Sequence, residues 1–311
     1  MLESFLTDTS YLLNVSFVQQ AILAAGVLGV LSGVMTPLIV LRQMSFSVHA
    51  TSELALMGAA AALLFGLNVG WGAIAGSIVA ALMLAVLGMK QQQDAAIGVV
   101  MSFGMGLAVL FIHLYPGNST RAFSLLTGQI VGVSAASTTT LFITTVLVVG
   151  IVALIWRPML FASADPIMAR AAGVHCQWIA VIFAVLVGIA AAQSVQIVGS
   201  LLVMALLITP GAAAVHVTSS PIRAVIYSII FAETSAVGGL ILSLAPGIPV
   251  SVFVTAVSFF IYLVCRFIGG RMNQKAQVGT NRKKFSEVLG SPHSAEDSLV
   301  VDPHHSAPNE H

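Results

Sequence analysis

Apolar runs of about the 20 residues that a helix needs to cross a bilayer follow one another along this chain, separated by short polar or Gly/Pro-bearing punctuation. They read as spans at 17–41, 48–68, 71–89, 95–115, 138–156, 177–193, 195–217, 224–244 and 249–268. In lipid only helices and closed barrels satisfy the backbone, and segments this long are helices. The expected fold class is therefore an all-α polytopic membrane protein with eight or nine transmembrane helices, nine being preferred. Eight stays open because 177–193 and 195–217 are almost continuous, and Gly199, Pro210 and Gly211 let one of these helices break or re-enter.

Composition agrees and divides the chain. Of 311 residues, 58% are hydrophobic and 7% charged, against about 25% charged in an ordinary soluble domain, which excludes a soluble globular protein. Residues 1–265 hold six of the 12 Lys/Arg and six of the 11 Asp/Glu, and the last 46 residues hold the rest. A transmembrane domain is expected over 1–271 and a disordered polar tail over 272–311, whose NQKAQVGTNRKK and SPHSAEDS stretches lack the large apolar residues of a core. His293, His304, His305 and His311 read as solvated tail histidines, since no ligand spacing is enforced. No basic face points to nucleic acid. Cys176 and Cys265 form no CxxC pair and support neither a disulfide framework nor a thiolate zinc site.

Lys and Arg in short loops mark the cytoplasmic side. With nine spans and Arg266, Arg271, Lys275, Arg282, Lys283 and Lys284 inside, Arg223, Arg157, Arg170, Lys90 and Arg42 also fall inside, and Arg121 alone falls outside. Merging 177–217 into one span would reverse most of these. The C-terminus is thus expected in the cytoplasm and the N-terminus outside. Met1 to Gln20 has no basic n-region and carries Glu3 and Asp8, so the first span is expected to stay in the protein.

Ionisable groups within spans cost at least ~2.5–3.5 kcal/mol at a helix centre, which makes each a functional candidate. His49 and Glu53 are four residues apart and share one helix face. Imidazole and carboxylate so placed can hold a borderline divalent cation, or else hydrogen-bond to each other. Glu233, in FAETSAVGG, is open to a role as a further ligand or as a structural hydrogen-bonding group. Asp94 suits the positive end of a helix as its N-cap. His113 and His216 lie near span ends. In the interior loop ASADPIMARAAGVHCQ, Asp165 and Pro166 read as N-cap and N1 of a short helix closed by Gly173, either a plain connection or a docking knob. The chain has no GxxxxGK[ST], GxSxG or HExxH motif, so it offers no ATPase or evident hydrolase site of its own. Energy for uphill transport must come from an ion gradient or another subunit.

Several stretches, in order, resemble one family. LRQMSFSVHATSELALMG resembles the second-helix region of the ABC-3 metal permeases, the membrane subunits of bacterial ABC importers for zinc, manganese or iron. QQQDAAIGVV, AFSLLTGQIVGVS, DPIMARAAGV and VQIVGSLLVMALLITPGAAA are similar to the later segments of that family. The match runs from Arg42 to about Ala214, more than half of the chain.

The resemblance implies a type II ABC importer-like permease in the bacterial cell membrane, multi-pass and homodimeric. Its implied partners are two cytoplasmic ATPase subunits and an extracytoplasmic solute-binding protein, with no permanently bound cofactor and a divalent metal as cargo. It makes Asp165, Pro166, Ala169 and Gly173 parts of an ATPase-coupling helix, and Gly199 and Pro210 points of flexibility beside the pathway. The family's Asp and His, four residues apart on that second helix, are replaced in swapped order by His49 and Glu53, and its usual Pro before the helix Gly by Met57 before Gly58. Glu233 is then a further candidate ligand of an altered site. The alternatives weighed are a permease for a haem or siderophore chelate and a gradient-driven secondary carrier, for which internal repeat symmetry is expected and no convincing repeat is seen.

Overall fold

Each apolar run in the described chain is helical, as it must be where no water is present to satisfy backbone N–H and C=O groups. The computed structural model describes residues 12–13, 15–87, 93–117, 134–244 and 249–290, with side chains at all of these except 85–87, 93–94, 201 and 271–290. In chain order the elements are α1 (Ser16–Leu41), α2 (Ser45–Leu64), α3 (Val69–Leu87), α4 (Gln93–Leu114), α5 (Ala135–Ala164) and α6 (Pro166–Ala171). After these come α7 (Cys176–Val198), α8 (Ser200–Leu207), α9 (Thr209–Val217), α10 (Pro221–Leu244) and α11 (Val250–Gly290). Among the described residues, seven helices are long and apolar enough to cross a membrane: α1, α2, α4, α5, α7, α10 and the Val250–Gly270 part of α11. Two shorter apolar stretches, Val69–Leu84 and Leu202–Val217, bring the segments to the nine read from the sequence.

Burial sorts the helices. The apolar windows of α1, α2 and α7 are 72%, 67% and 61% buried, while those of α4, α5 and α11 are 22% buried. The first three form the centre of the unit Met1–Arg266, and α4, α5 and α11 show most of their apolar surface outward, as lipid-facing helices do. With lipid as apolar as leucine, close backbone approach holds such helices together. At the α2–α3 crossing, a Cβ on Gly58 would run into the backbone of Gly72 and Gly76. Thr36 of α1 and Ser228 of α10 share a buried hydrogen bond of 2.6 Å.

Two irregular points break the helical run. Gly199 has φ +79° and ends α7 in the left-handed half of conformational space that only glycine enters freely. The next span is itself interrupted at Ile208 (φ −130°, ψ −50°), just before Thr209-Pro210. Pro210 has no N–H to donate and its ring crowds the preceding turn, so α8 stops and α9 starts afresh with Pro210 in its first turn. Helix α11 continues as backbone helix to Gly290, past residue 272 where the disordered polar tail is expected to begin. The histidines at 293, 304, 305 and 311 lie outside the described residues.

Candidate functional site

The site begins at the corner between α1 and α2. Arg42 closes α1, its N–H bonding to the Leu38 carbonyl, Gln43 takes a left-handed φ of +55°, and α2 starts at Ser45. His49 therefore lies one turn into α2 and Glu53 two turns in. Along this stretch the neighbouring hydroxyls are occupied by backbone: Thr51 donates to the Ser47 carbonyl and Ser52 to the His49 carbonyl, both at 2.7 Å. The functional side chains are left without such partners. His49 Nδ1 and Glu53 Oε2 are both buried and, among the described residues, neither has a hydrogen-bond partner. Glu53 is 3% exposed. A buried polar atom without a partner is expensive, and here two occur one helical turn apart.

Both side chains line one cavity of about 430 Å³. Its other wall belongs to α4: Met101, Ser102, Met105, Gly106 and Val109. Gly104 lets α4 come this close, since a Cβ there would stand 2.6 Å from Leu54 Cδ1, next to Glu53. The arrangement presents an imidazole and a carboxylate from a rigid helix to a space with room for an ion and its remaining waters. The α4 wall was not legible in the sequence. The sequence clue was the pair Met101 and Met105, four residues apart, with Gly104 and Gly106 interleaved.

Glu233 is placed elsewhere. It is half-buried on α10, and its carboxylate fills the space left by two glycines of α1: a Cβ on Gly29 would be 2.8 Å from Oε1, and one on Gly26 3.6 Å from Oε2. Glu233 is not among the residues lining the His49–Glu53 cavity. The structure thus brings His49 and Glu53 together and sets Glu233 in the α1–α10 contact.

The short helix α6 forms as the sequence spacing predicts. Asp165 caps it, its carboxylate accepting from the N–H of Ile167 (3.0 Å) and of Met168 (2.9 Å), with Pro166 at the first helical position. The C-terminal end is closed by bonds from Gly173 N–H to the Arg170 carbonyl and from Val174 N–H to the Ala169 carbonyl, with Gly173 at φ +82°. These paired closures over a left-handed glycine form a Schellman motif. Ala169 is fully buried, pinning the helix to the body, while Ile167 and Met168 are 78% and 62% exposed. The helix thus shows an apolar, outward-facing tip.

One further contact joins this end of the molecule to the α1–α2 corner. Arg42 Nε donates to Ser163 Oγ at 2.9 Å, two residues before Asp165, and the guanidinium lies 5.0 Å from the Phe183 ring of α7. Ser163 Oγ in turn donates to the Met159 carbonyl at 2.7 Å, so the chain of bonds is complete. Burial pulls the Arg42 guanidinium below its ordinary pKa, and the ring and hydroxyl replace lost water.

The remaining candidates are accounted for simply. Helix α4 begins at Gln93, which puts Asp94 inside its first turn instead of before it; its side chain lies outside the described residues. The first turn is still where a carboxylate suits the helix dipole. Arg121 and most of AFSLLTGQIVGVS lie outside the described residues as well. His113 is exposed at the end of α4, and His216 packs edge-on against Tyr262, ring centres 5.6 Å apart.

The chain is 30% identical over 273 residues to the manganese transport system membrane protein MntC of Listeria monocytogenes, covering 86% of this chain and 97% of that one. It is 25% identical over 245 residues to the high-affinity zinc uptake system membrane protein ZnuB of Buchnera aphidicola, covering 78% and 94%. Its structure matches PsaBC from Streptococcus pneumoniae, solved in complex with Fab, with a TM-score of 0.77 and 25% identity over 85% of this chain and 95% of that one. The model of the ABC 3 transport family matches residues 14–269, so that the helical body, the cavity beneath His49 and Glu53, and the capped helix α6 all fall within the match, and the chain belongs to that family of membrane permeases.

Proposed function

We propose that this chain is the transmembrane subunit of an ATP-binding-cassette importer that carries a divalent metal cation, manganese or zinc, across a bacterial cell membrane. Two copies form the pathway, two cytoplasmic ATPase subunits drive it, and an extracytoplasmic solute-binding protein delivers the ion. The names of the relatives support the cargo: MntC is a manganese transport protein and ZnuB a zinc uptake protein. The observation that carries the reading is the pair of donors, His49 Nδ1 and Glu53 Oε2, unpartnered among the described residues and lining one open cleft between two apolar helices. Such groups repay the cost of burial when a cation crosses the site.

In this reading His49 and Glu53 are the pathway ligands. Two protein donors with water completing the sphere hold an ion weakly enough to release it, as conduction requires. The swapped order keeps one imidazole and one carboxylate on one face. Of the two roles open to Glu233, its seat against Gly29 supports the structural one. Helix α6, from Asp165 to Gly173, is the coupling helix: its apolar tip at Ile167 and Met168 docks the ATPase, and the Arg42–Ser163 bond carries its displacement to the corner from which α2 starts. Gly199 and the break before Pro210 let the α7–α9 region yield as the pathway opens.

The test is energy-dependent uptake of radiolabelled manganese and zinc by cells expressing the chain with its ATPase, comparing parent, His49→Ala and Glu53→Ala. Both variants are expected to lose uptake while still assembling with the ATPase. Undiminished uptake in both would remove these residues from the pathway.

A further inference from the structure

His49 and Glu53 supply two donors, whereas a first-row dication is satisfied by four to six. What faces them across the cavity is largely not oxygen. The α4 wall contributes one hydroxyl, Ser102, and two thioethers, Met101 and Met105. These methionines are four residues apart and so stack on one face of α4. That face is the one turned towards α2, since both residues line the same space as His49 and Glu53.

Methionine in a protein interior usually fills gaps. Here the two methionines border an open volume of about 430 Å³ instead of filling it. Flexible, polarisable side chains at the edge of a space that also holds two unpartnered donors are placed to coordinate.

We infer that Met101 and Met105 turn their sulfur atoms to the ion held by His49 and Glu53, giving a mixed nitrogen, oxygen and sulfur site that selects for soft and borderline cations. The inference rests on the reading of His49 and Glu53 as ligands and adds a basis for selectivity. Thioethers add to the binding of borderline and soft ions, whereas magnesium and calcium demand oxygen. An ion of the second kind entering this cavity would exchange water for sulfur and gain nothing. Carboxylate and imidazole alone would discriminate less, so the methionine wall disfavours magnesium and calcium and, of the two proposed cargoes, favours zinc over manganese.

The experiment uses the full chain in lipid nanodiscs with cadmium as the sulfur-seeking probe. Cys176→Ser and Cys265→Ala are included throughout so that the two thiols do not compete. X-ray absorption at the cadmium edge reads the atoms bound to the ion, and competition with magnesium reads selectivity. Sulfur is expected in the cadmium shell of the parent, and growth on selenomethionine is expected to replace it with selenium without any substitution at the site. In the Met101→Leu/Met105→Leu variant, which conserves volume, sulfur leaves the shell. The preference for cadmium over magnesium then falls by about tenfold, the scale on which contacts around a metal tune its affinity. Manganese binding changes less than cadmium binding, which also shows that the variant is folded.

A parent shell of nitrogen and oxygen only, or sulfur retained in the double variant, overturns the assignment of Met101 and Met105 while leaving His49 and Glu53 in place. Cadmium binding that survives both His49→Ala and Glu53→Ala, or no binding by the parent, overturns the reading beneath it and the inference together.

Discussion

Glu53 and Glu233 are both carboxylates within apolar helices, and their surroundings separate them. Glu53 opens on a cavity, whereas Glu233 is seated in the gap that Gly26 and Gly29 leave in α1. Gly29→Ala is expected to destabilise by about 1 kcal/mol, the low end of overpacking, because the intruding Cβ meets the mobile end of a side chain. In a Glu233→Ala background that penalty should nearly vanish, a coupling that a double-mutant cycle of thermal or denaturant unfolding in detergent measures. Gly33→Ala makes the contrast: there the Cβ meets the Ile229 backbone itself, so the cost is larger and persists when Glu233 is removed. Equal penalties for Gly29→Ala in both backgrounds would mean that Glu233 does not occupy this seat. The sequence spacing put His49 and Glu53 on one face, because four residues is a property of one helix. Which helix Glu233 faces, and that Met101 and Met105 stand opposite Glu53, depends on how helices distant in the chain cross, and that crossing is set by Gly29, Gly58 and Gly104, whose effect is seen only in three dimensions.

At the level of elements, local chemistry was easier to read than connection. Asp165, Pro166 and Gly173 spell out the start and end of α6, and Pro210 with Gly199 marks the broken span, since caps and breaks follow from residues a few positions apart. The bond that ties the α1–α2 corner to the end of α5 joins residues 121 positions apart and left no local signal. Arg42 combines an Nε–H bond to Ser163 with stacking on Phe183, two contacts that a lysine does not reproduce together. Arg42→Lys is therefore expected to lower stability by about 1–2 kcal/mol, as for the loss of a charged hydrogen bond. In the assembled transporter it should lower the metal imported per ATP hydrolysed while ATPase binding is retained. A variant with parental stability and parental coupling would show that the corner and the α5 end act independently.

For the whole molecule the decisive question is whether 200–217 crosses the membrane. Its 18 residues rise about 27 Å as helix, close to the ~30 Å of the hydrocarbon core, and the break at Ile208 shortens that reach. If the segment crosses, α7 and the α8–α9 pair run in opposite directions, and Ser219 shares a side with α6 and with Arg42, Arg170 and Arg223. If it re-enters, Ser219 lies on the far side and Arg223 goes with it, against the distribution of basic residues. Three single-cysteine variants decide this in a chain lacking Cys176 and Cys265: Leu67→Cys, Ala172→Cys and Ser219→Cys, all at exposed positions between helices. A membrane-impermeant thiol reagent is expected to label Leu67→Cys on intact cells and the other two only after the membrane is opened. Labelling of Ser219→Cys from outside, with Ala172→Cys still protected, would reduce the spans to eight and make 200–217 a re-entrant hairpin. Reversal of Leu67→Cys and Ala172→Cys would invert the whole bundle, placing the apolar tip of α6 outside the cell, where no ATPase could reach it, and that result would overturn the coupling role together with the orientation.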